Sequence, residues 1–210
     1  MRTVQKVFLE ARNIDEFKKH LEGLDGDVWL SCTAPLKHSP NDRLGISAPQ
    51  GVNAINQLMR TGVEWSGTNT DGTGFILACR QIGIEPSGNI LRIRGGGSAA
   101  RAIAAAWATV GGLLIPESGR RQLVSGPWDN AVVGGGEAAL GVDLDAKPGG
   151  GGSTPLDANI QVSISYGDGA GTGEFAVIMV AAQHLEAWKA LFAPERETSL
   201  PSLSALLDLL

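Results

Sequence analysis

The chain has 210 residues, of which 43% are hydrophobic, and its formal net charge is −5. That length allows one domain or two small ones with a packed core, and the acidic balance excludes a global positive field that would recruit nucleic acid or an anionic membrane. Two cysteines cannot form a disulfide framework or a four-ligand zinc site. No apolar run reaches the ~18 residues that span a bilayer, and no signal peptide is recognisable. We therefore expect a cytoplasmic protein that holds no metal.

The first part of the chain mixes short helices and strands. Asn13 and Glu16 form the capping pair typical of a helix N-terminus, and apolar residues recur behind them at helical spacing. A short apolar run ends at the Ala34-Pro35 break and favours a strand. The predicted elements are, in order, a helix over about 13–22, a strand at 28–31, a loop or broken helix at 38–50, and a turn at 69–72 that leads into a further helix.

After Pro86-Ser87-Gly88 the pattern changes to strand, glycine turn, helix, strand. This order predicts a βαβ unit with a right-handed crossover, and hence a parallel sheet. The chain holds 29 glycines, and the tetraglycine at 149–152 is predicted to be a flexible loop. The predicted strands lie at 89–93, 113–115, 131–133 and 160–164, and the predicted helices at 99–109, 175–192 and 202–210.

The first strand of this unit leads into a dinucleotide-binding pattern, Gly95-x-Gly97-x-x-Ala100. The first glycine permits a tight turn, the second lets the backbone approach a pyrophosphate, and the small third residue lets helix and strand pack closely. The helix N-terminus at Ser98 and Ala99 would offer unpaired N–H groups to the phosphates. A purely structural glycine turn is the alternative.

Charged residues on the two strands bear on the cofactor. Glu117 lies 22 residues after the first glycine of the pattern, close to the spacing of ~20 at which a carboxylate accepts the ribose hydroxyls. It would repel a 2′-phosphate, whereas Arg120 and Arg121 just beyond it would attract one. The predicted cofactor is NAD or NADP, with NAD slightly favoured. Arg92 and Arg94 imply a sheet with one wet face, or a small and partly open sheet.

Five segments resemble the shikimate/quinate dehydrogenase family, and they occur in the family's order over about 28–115 and 160–190. One such motif would be noise, whereas five in order are a strong signal. The segments are Ser31-Cys32-Thr33-Ala34-Pro35-Leu36-Lys37 (family N-V-T-x-P-x-K), Asn53-Ala54-Ile55-Asn56 (G-A-V-N), Gly67-Thr68-Asn69-Thr70-Asp71-Gly72 (G-x-N-T-D-G), Gly95 to Ala102 (G-A-G-G-A-A-R-A) and Met179-Val180-Ala181-Ala182-Gln183 (M-L-x-x-Q).

The resemblance implies an α/β fold of two lobes. Residues 1–88 would form a truncated α/β substrate lobe, and residues 89–190 a small Rossmann-like nucleotide lobe with a parallel sheet. An amphipathic helix would follow at 191–210. Trimming relative to the family would expose apolar surface, so a homodimer is one expectation.

The resemblance also implies roles for single residues. Lys37 would be the catalytic general acid/base and Asp71 its partner. Reducing a ketone needs a hydride from a nicotinamide and a proton for the developing alkoxide, which a lysine oriented by a carboxylate can donate. Without the resemblance, a Lys–Asp pair is more often a surface contact. The residues implied to hold the substrate are Thr33, Asn56, Gln183 and Tyr166.

The implied activity is that of an NAD(P)-dependent dehydrogenase that interconverts a ring ketone and alcohol, of the 3-dehydroshikimate/shikimate or quinate type. The substrate would be a cyclic polyol acid in aromatic amino acid biosynthesis. The family's Ser-x-Ser motif, which binds the substrate carboxylate, is not recognisable. The alternatives are therefore a non-catalytic nucleotide- or metabolite-binding relative and a dehydrogenase for another cyclic polyol. His38 is expected to be a solvated loop residue, with substrate contact as the alternative. His184 is expected on a helix surface, with a place in the cleft as the alternative.

Overall fold

The computed structural model describes residues 5–145, 154–164 and 173–210. The helices are α1 (Ile14–Glu22), α2 (Ser39–Leu44), α3 (Asp71–Gln81), α4 (Ser98–Thr109), α5 (Glu174–Ala187) and α6 (Leu203–Leu207). The strands are β1 (Val28–Ser31), β2 (Gln57–Thr61), β3 (Glu64–Thr68), β4 (Ile90–Arg94), β5 (Leu113–Glu117), β6 (Leu140–Asp143) and β7 (Ile160–Val162).

The first lobe is built on three antiparallel strands in the order β1-β2-β3. The β2–β3 hairpin turns at Gly62, whose φ of +61° favours glycine. Phe17 of α1 packs with Ile55 and Leu58 beneath this sheet. Arg60 of β2 donates to the carbonyl oxygens of residues 21, 24 and 26, which places a cation at the carbonyl end of α1. These contacts hold α1 against the sheet, and Ile55 lies near the end of the segment between β1 and β2 that carries Lys37.

The second lobe is an all-parallel sheet in the order β5-β4-β6-β7, and α4 connects β4 to β5. Its core joins both lobes' helices, since Phe75 of α3 contacts the rings of Trp107 on α4 and Phe175 on α5. The parallel sheet and the βαβ unit confirm the predicted α/β class with a Rossmann-like sheet.

Charged residues in β4 are accommodated by pairs across the sheet. Buried positions alternate along the strand with Arg92, which pairs with Glu117 of β5 at 2.5 Å, and Arg94, which pairs with Asp143 of β6 at 2.7 Å. The two arginines therefore share one half-buried face, as expected for a strand with one wet side.

Helix α3 packs between α4 and α5, and two glycines permit the close approach. A Cβ at Gly72 would lie 2.2 Å from the carbonyl oxygen of Ala102 on α4. A Cβ at Gly74 would lie 2.5 Å from Cγ of Gln183 on α5. Because α3 begins at Asp71, this packing decides where that carboxylate lies relative to both lobes.

Replacing Gly72 by alanine is expected to destabilise the protein. Helix propensity alone would favour alanine by about 1 kcal/mol. The new methyl group, however, meets backbone, so α3 and α4 must separate, at a net cost of roughly 1–3 kcal/mol. Urea unfolding measures the difference, with Thr73→Ala on the exposed side of the same turn as the matched control. A more stable Gly72→Ala variant would contradict the packing described here.

The structure corrects several predicted elements. The hairpin β2–β3 and strand β6 were not expected. The stretch 131–133, predicted as a strand, makes one isolated bridge from Val132 to Leu114 after a short 3-10 turn. The prediction of a loop or broken helix at 38–50 agrees with the short helix α2, which Gly45 ends with a φ of +66°. The long helix of 175–192 is α-helical to Ala187 and continues as a π-helical turn, and the last helix spans only 203–207. The tetraglycine lies outside the described residues.

The segment Glu174–Phe192, α5 with its π-helical turn, is long and apolar enough to cross a membrane. The central helix of a folded core meets the same criteria. Phe175, Ile178 and Met179 of α5 are buried in the main core, which fits a core helix.

Candidate active site

A lysine–aspartate pair lies where the two lobes meet. Nζ of Lys37 is 2.6 Å from Oδ2 and 2.9 Å from Oδ1 of Asp71. The two side chains are 14% and 3% exposed. Lys37 lies on the short 3-10 turn after β1, and Asp71 is the first residue of α3. The pair therefore joins two segments that are 34 residues apart in the sequence, well away from bulk solvent.

Buried amides hold the carboxylate of Asp71 in place. Nδ2 of Asn56 donates to Oδ1 of Asp71 at 3.0 Å, and Oδ1 of Asn56 accepts from the backbone N–H of Thr70 at 2.8 Å. Oδ1 of Asn69 accepts from the backbone N–H of Asp71 at 3.0 Å. These bonds, made by Asn56 just before β2 and by Asn69 just before α3, orient the carboxylate toward Lys37.

A cavity of about 600 Å³ opens over this pair. Thr33, Asn56 and Gln183 line it together with Lys37 and Asp71, so the structure brings together five predicted site residues. Gln183 reaches the cavity because the absence of a side chain at Gly74 lets α5 lie directly on α3. Tyr166 lies outside the described residues. The apolar wall of the cavity is formed by Ala176, Val177, Val180 and Ala181.

Sequence reasoning missed two polar residues of this cavity, Ser31 and Gln57, and gave a place in the cleft only as the alternative for His184. Ser31 donates to Oε1 of Gln57 at 3.0 Å, so the Ser31 oxygen accepts from Nε2–H of His184 at 3.3 Å. His184 is exposed, as expected, yet it also lines the cavity. Partial desolvation lowers the pKa of His184, which favours the neutral ring. Its position next to Gln183 on α5 was the available signal.

Cys32 also lines the cavity, but its thiol has low reactivity. Burial raises the pKa of the Cys32 thiol to about 11, against a smaller opposing effect of the Lys37 charge. The thiol is therefore protonated at neutral pH and is a poor nucleophile.

A second cavity of about 550 Å³ lies at the glycine-rich turn. Gly95 has a φ of +115°, which the tight turn requires. A Cβ at Gly97 would have no atom of the described residues within 4 Å, and Gly97 lines the cavity. Gly97, Ser98, Ala99 and Ala100 line it, and His38, Arg120 and Arg121 stand around the same space. The glycine backbone and the N-terminus of α4, which no side chain of the described residues caps, fit a pyrophosphate.

Glu117 is not brought to this cavity. Its carboxylate is held by Arg92 in the sheet, and it is absent from the described lining of the second cavity. Sequence spacing placed it at the correct strand end, but spacing alone could not reveal the arginine on the neighbouring strand.

The two cavities adjoin. Both are lined by Thr33 and Lys37, which lie on the segment between β1 and α2. A ligand in the first cavity and a nucleotide in the second would therefore meet beside the ammonium group of Lys37.

Comparison with known proteins identifies the relatives of this chain. No family model matches it. A shikimate dehydrogenase (NADP(+)) of Rubrobacter xylanophilus is 58% identical over 40 residues, which cover 19% of this chain and 14% of that protein. One from Synechocystis is 35% identical over 102 residues, covering 48% of this chain and 35% of that protein, and one from Xanthomonas campestris is 33% identical over 102 residues, covering 44% and 34%. These segments of the chain are similar to shikimate dehydrogenases.

Solved shikimate dehydrogenases share its fold. Shikimate dehydrogenase 1 of Peptoclostridium difficile aligns with a TM-score of 0.65 at 16% identity, covering 96% of this chain and 82% of that one. The Thermus thermophilus enzyme, solved with NADP(H) and shikimate, aligns with a TM-score of 0.59 at 23% identity, covering 84% and 75%. The sequence matches span no more than 35% of the length of the three curated relatives. The resemblance inferred from the five motifs is confirmed.

Proposed function

We propose that this chain is a dehydrogenase of the shikimate type that uses NADP(H) to interconvert a ring ketone and its alcohol. The observation that carries the proposal is the meeting of the two cavities at the buried Lys37–Asp71 pair. A hydride transfer needs its donor and acceptor in contact and a proton source at the same oxygen. In this proposal residues 1–88 form the substrate lobe, residues 89–190 the cofactor lobe, and α5 adds Gln183 to the substrate cavity.

The chain's own residues then divide the work. Lys37 donates a proton to the developing alkoxide in ketone reduction, and takes it from the hydroxyl in the reverse direction. Asp71 holds the ammonium group in position, and the amides of Asn56 and Gln183 bind ring hydroxyls without adding charge. When bound, the nicotinamide supplies or takes the hydride at the carbon that carries the oxygen. One hydride and one proton convert ketone to alcohol, so the step balances.

The test is spectrophotometric. Purified protein with shikimate or quinate and NADP+ or NAD+ is followed at the absorbance band of reduced nicotinamide. We expect turnover with shikimate and NADP+. Nucleotide binding in calorimetry without turnover of either acid would instead support the non-catalytic alternative. Turnover of another cyclic polyol, added in place of these acids, would support a dehydrogenase for that polyol.

The preference for NADP over NAD is proposed from the charges around the second cavity. Glu117, which the sequence analysis expected to repel a 2′-phosphate, is neutralised by Arg92. Arg120 and Arg121 line the cavity, and so do Asp143, which pairs with Arg94, and Asp145. The 4.0 Å contact between Arg120 and Asp145 is weak, and a phosphate can replace it. The matched relatives named above carry NADP(+) in their names, which supports the same choice over the NAD favoured from sequence.

Replacing Arg120 and Arg121 together by alanine is expected to raise KM for NADP+ by about 10- to 100-fold, since charge-assisted hydrogen bonds contribute ~1.5–3 kcal/mol. KM for NAD+, which lacks the 2′-phosphate, should change little. Arg196→Ala, at an exposed arginine near Glu195, serves as the control. An equal rise for both cofactors would contradict the assignment.

The homodimer stays a prediction, and light scattering of the purified protein measures its mass in solution.

A further inference from the structure

Arg101 of α4 bridges the two lobes. Its Nε–H donates to the carbonyl oxygen of Val52 at 3.0 Å, and its Nη1–H donates to the carbonyl oxygen of Gly96 at 3.0 Å. Val52 belongs to the loop before β2 in the first lobe, and Gly96 to the glycine-rich turn in the second. One side chain therefore satisfies backbone acceptors on both sides of the lobe junction.

Each of these carbonyl groups belongs to a segment that forms one of the cavities. Gly96 precedes Gly97 in the turn that lines the second cavity, and a Cβ at Gly96 would lie 1.9 Å from the carbonyl oxygen of Gln122. The turn therefore has no room to shift toward residue 122. Val52 lies four residues before Asn56, whose side chain binds Asp71 in the first cavity.

The loop at Val52 is held by packing and by backbone hydrogen bonds. Val52 and Ala54 are buried against Ala102, the neighbour of Arg101 on α4. The backbone N–H of Ile55 donates to the carbonyl oxygen of Lys37 at 2.8 Å. A displacement of Val52 is therefore passed to the backbone of Lys37 and to Asn56, both of which form the first cavity.

The charge of Arg101 is also destabilised by its surroundings. Burial, and the nearby charge of Arg121, lower its pKa. Arg121 lines the second cavity. An anion that enters this cavity relieves the repulsion between the two arginines, so the environment of Arg101 depends on whether a phosphate group is present.

We propose that Arg101 is a positioning residue that couples the two cavities, so that a nucleotide at the glycine-rich turn tightens binding of the ring polyol beside Lys37. The inference rests on the proposed function for the identity of the two ligands. Coupling between two sites typically changes affinity by about 5- to 150-fold and is reciprocal. Arg101 transmits it because it is hydrogen-bonded to both segments at once.

The test is calorimetry with shikimate and NADPH, a pair that cannot react with each other. The dissociation constant of shikimate is measured with and without NADPH for the wild type, Arg101→Lys, Arg101→Met and Arg80→Met. Lysine keeps the charge but cannot bond both carbonyl oxygens in the fork geometry of a guanidinium. Arg80, paired with Glu85 on the surface, is the control.

We expect NADPH to tighten shikimate binding at least about fivefold in the wild type and Arg80→Met, and to have little effect in Arg101→Lys. Melting temperatures show whether each variant is folded, and Arg101→Lys keeps the test valid where Arg101→Met does not fold. Coupling that persists in a folded Arg101→Lys overturns the inference alone, as does binding of both ligands by the wild type without coupling. A wild type that binds neither ligand overturns the proposed function and this inference with it.

Discussion

Replacing Lys37 by methionine is expected to lower kcat for shikimate oxidation by about 10²- to 10⁴-fold, the usual contribution of a general acid/base. Methionine keeps most of the side-chain volume but can neither donate nor accept the proton. Nucleotide binding should change much less than kcat, because Lys37 lines the second cavity where it adjoins the first and the glycine-rich turn is unaltered. Steady-state kinetics with NADP+ and calorimetry of NADP+ binding measure the two effects separately.

Asp71→Asn tests the partner of this lysine. The amide keeps the shape of the carboxylate and can still bond Asn56, but it no longer holds the ammonium group by charge. We expect Asp71→Asn to lower kcat by about as much as Lys37→Met does. In the double variant the loss of kcat should be less than the sum of the two single losses in free energy, because the two residues act as a unit.

A matched control is available on the π-helical turn that follows α5. Lys189 forms an ion pair with Glu186 at 2.8 Å, similar in length to the Lys37–Asp71 pair but partly exposed and away from both cavities. Lys189→Met should leave kcat unchanged. Retained turnover in folded Lys37→Met would refute the acid/base role, whatever the affinity for the cofactor.

Much of the site could be predicted because its motifs are local. The Asn69-Thr70-Asp71-Gly72 turn places Asp71 at the first position of α3, and the glycine pattern places Gly97 at the N-terminus of α4. Each of these positions follows from the chemistry of a few neighbouring residues. What brings Lys37 within 2.6 Å of Asp71 is the hairpin β2–β3 between them, and the sequence analysis did not find it.

The hairpin and β6 were missed for physical reasons. Both hairpin strands mix polar and apolar residues, because β2 is only partly buried and the residues of β3 are half-buried or exposed. The alternation of apolar and polar residues typical of a strand therefore does not appear. Gly62 was the one local signal, a glycine between two β-prone runs. In β6, Gly141 interrupts the apolar pattern of a buried strand, and a Cβ there would lie 3.1 Å from Cβ of Ala158. Its glycine reflects packing across the lobe, which sequence periodicity does not contain.

Glu117 is the opposite case, a residue to which the sequence analysis gave a binding role that the structure does not support. Its distance from the first glycine matched the expected ribose-binding carboxylate, and its strand end is the correct one. Only the register of β4 against β5 brings Arg92 next to it. Spacing along one chain predicts which strand end a residue occupies, whereas the charge it meets there depends on the neighbouring strand.

Replacing Gly97 by aspartate is expected to separate cofactor binding from folding. Gly97 is the N-cap of α4, with φ −72° and ψ −178°, a conformation that any residue adopts. A Cβ there meets no atom within 4 Å in the part of the chain that the structure describes. Aspartate is a favourable N-cap, so stability should be retained or raised. Its carboxylate, however, would stand in the second cavity, where a pyrophosphate needs close approach of the backbone.

We therefore expect Gly97→Asp to weaken NADP(H) binding by about 100-fold or more, which corresponds to roughly 2.7 kcal/mol, with no loss of melting temperature. Gly97→Ser is the matched control, because serine caps the helix equally well but adds no charge; its effect on affinity should be clearly smaller. Gly96→Ala should instead lower the melting temperature, since its methyl group would overlap the carbonyl oxygen of Gln122. If Gly97→Asp binds NADP(H) as tightly as the wild type, the second cavity is not the cofactor site, and the meeting of two ligands beside Lys37 no longer follows.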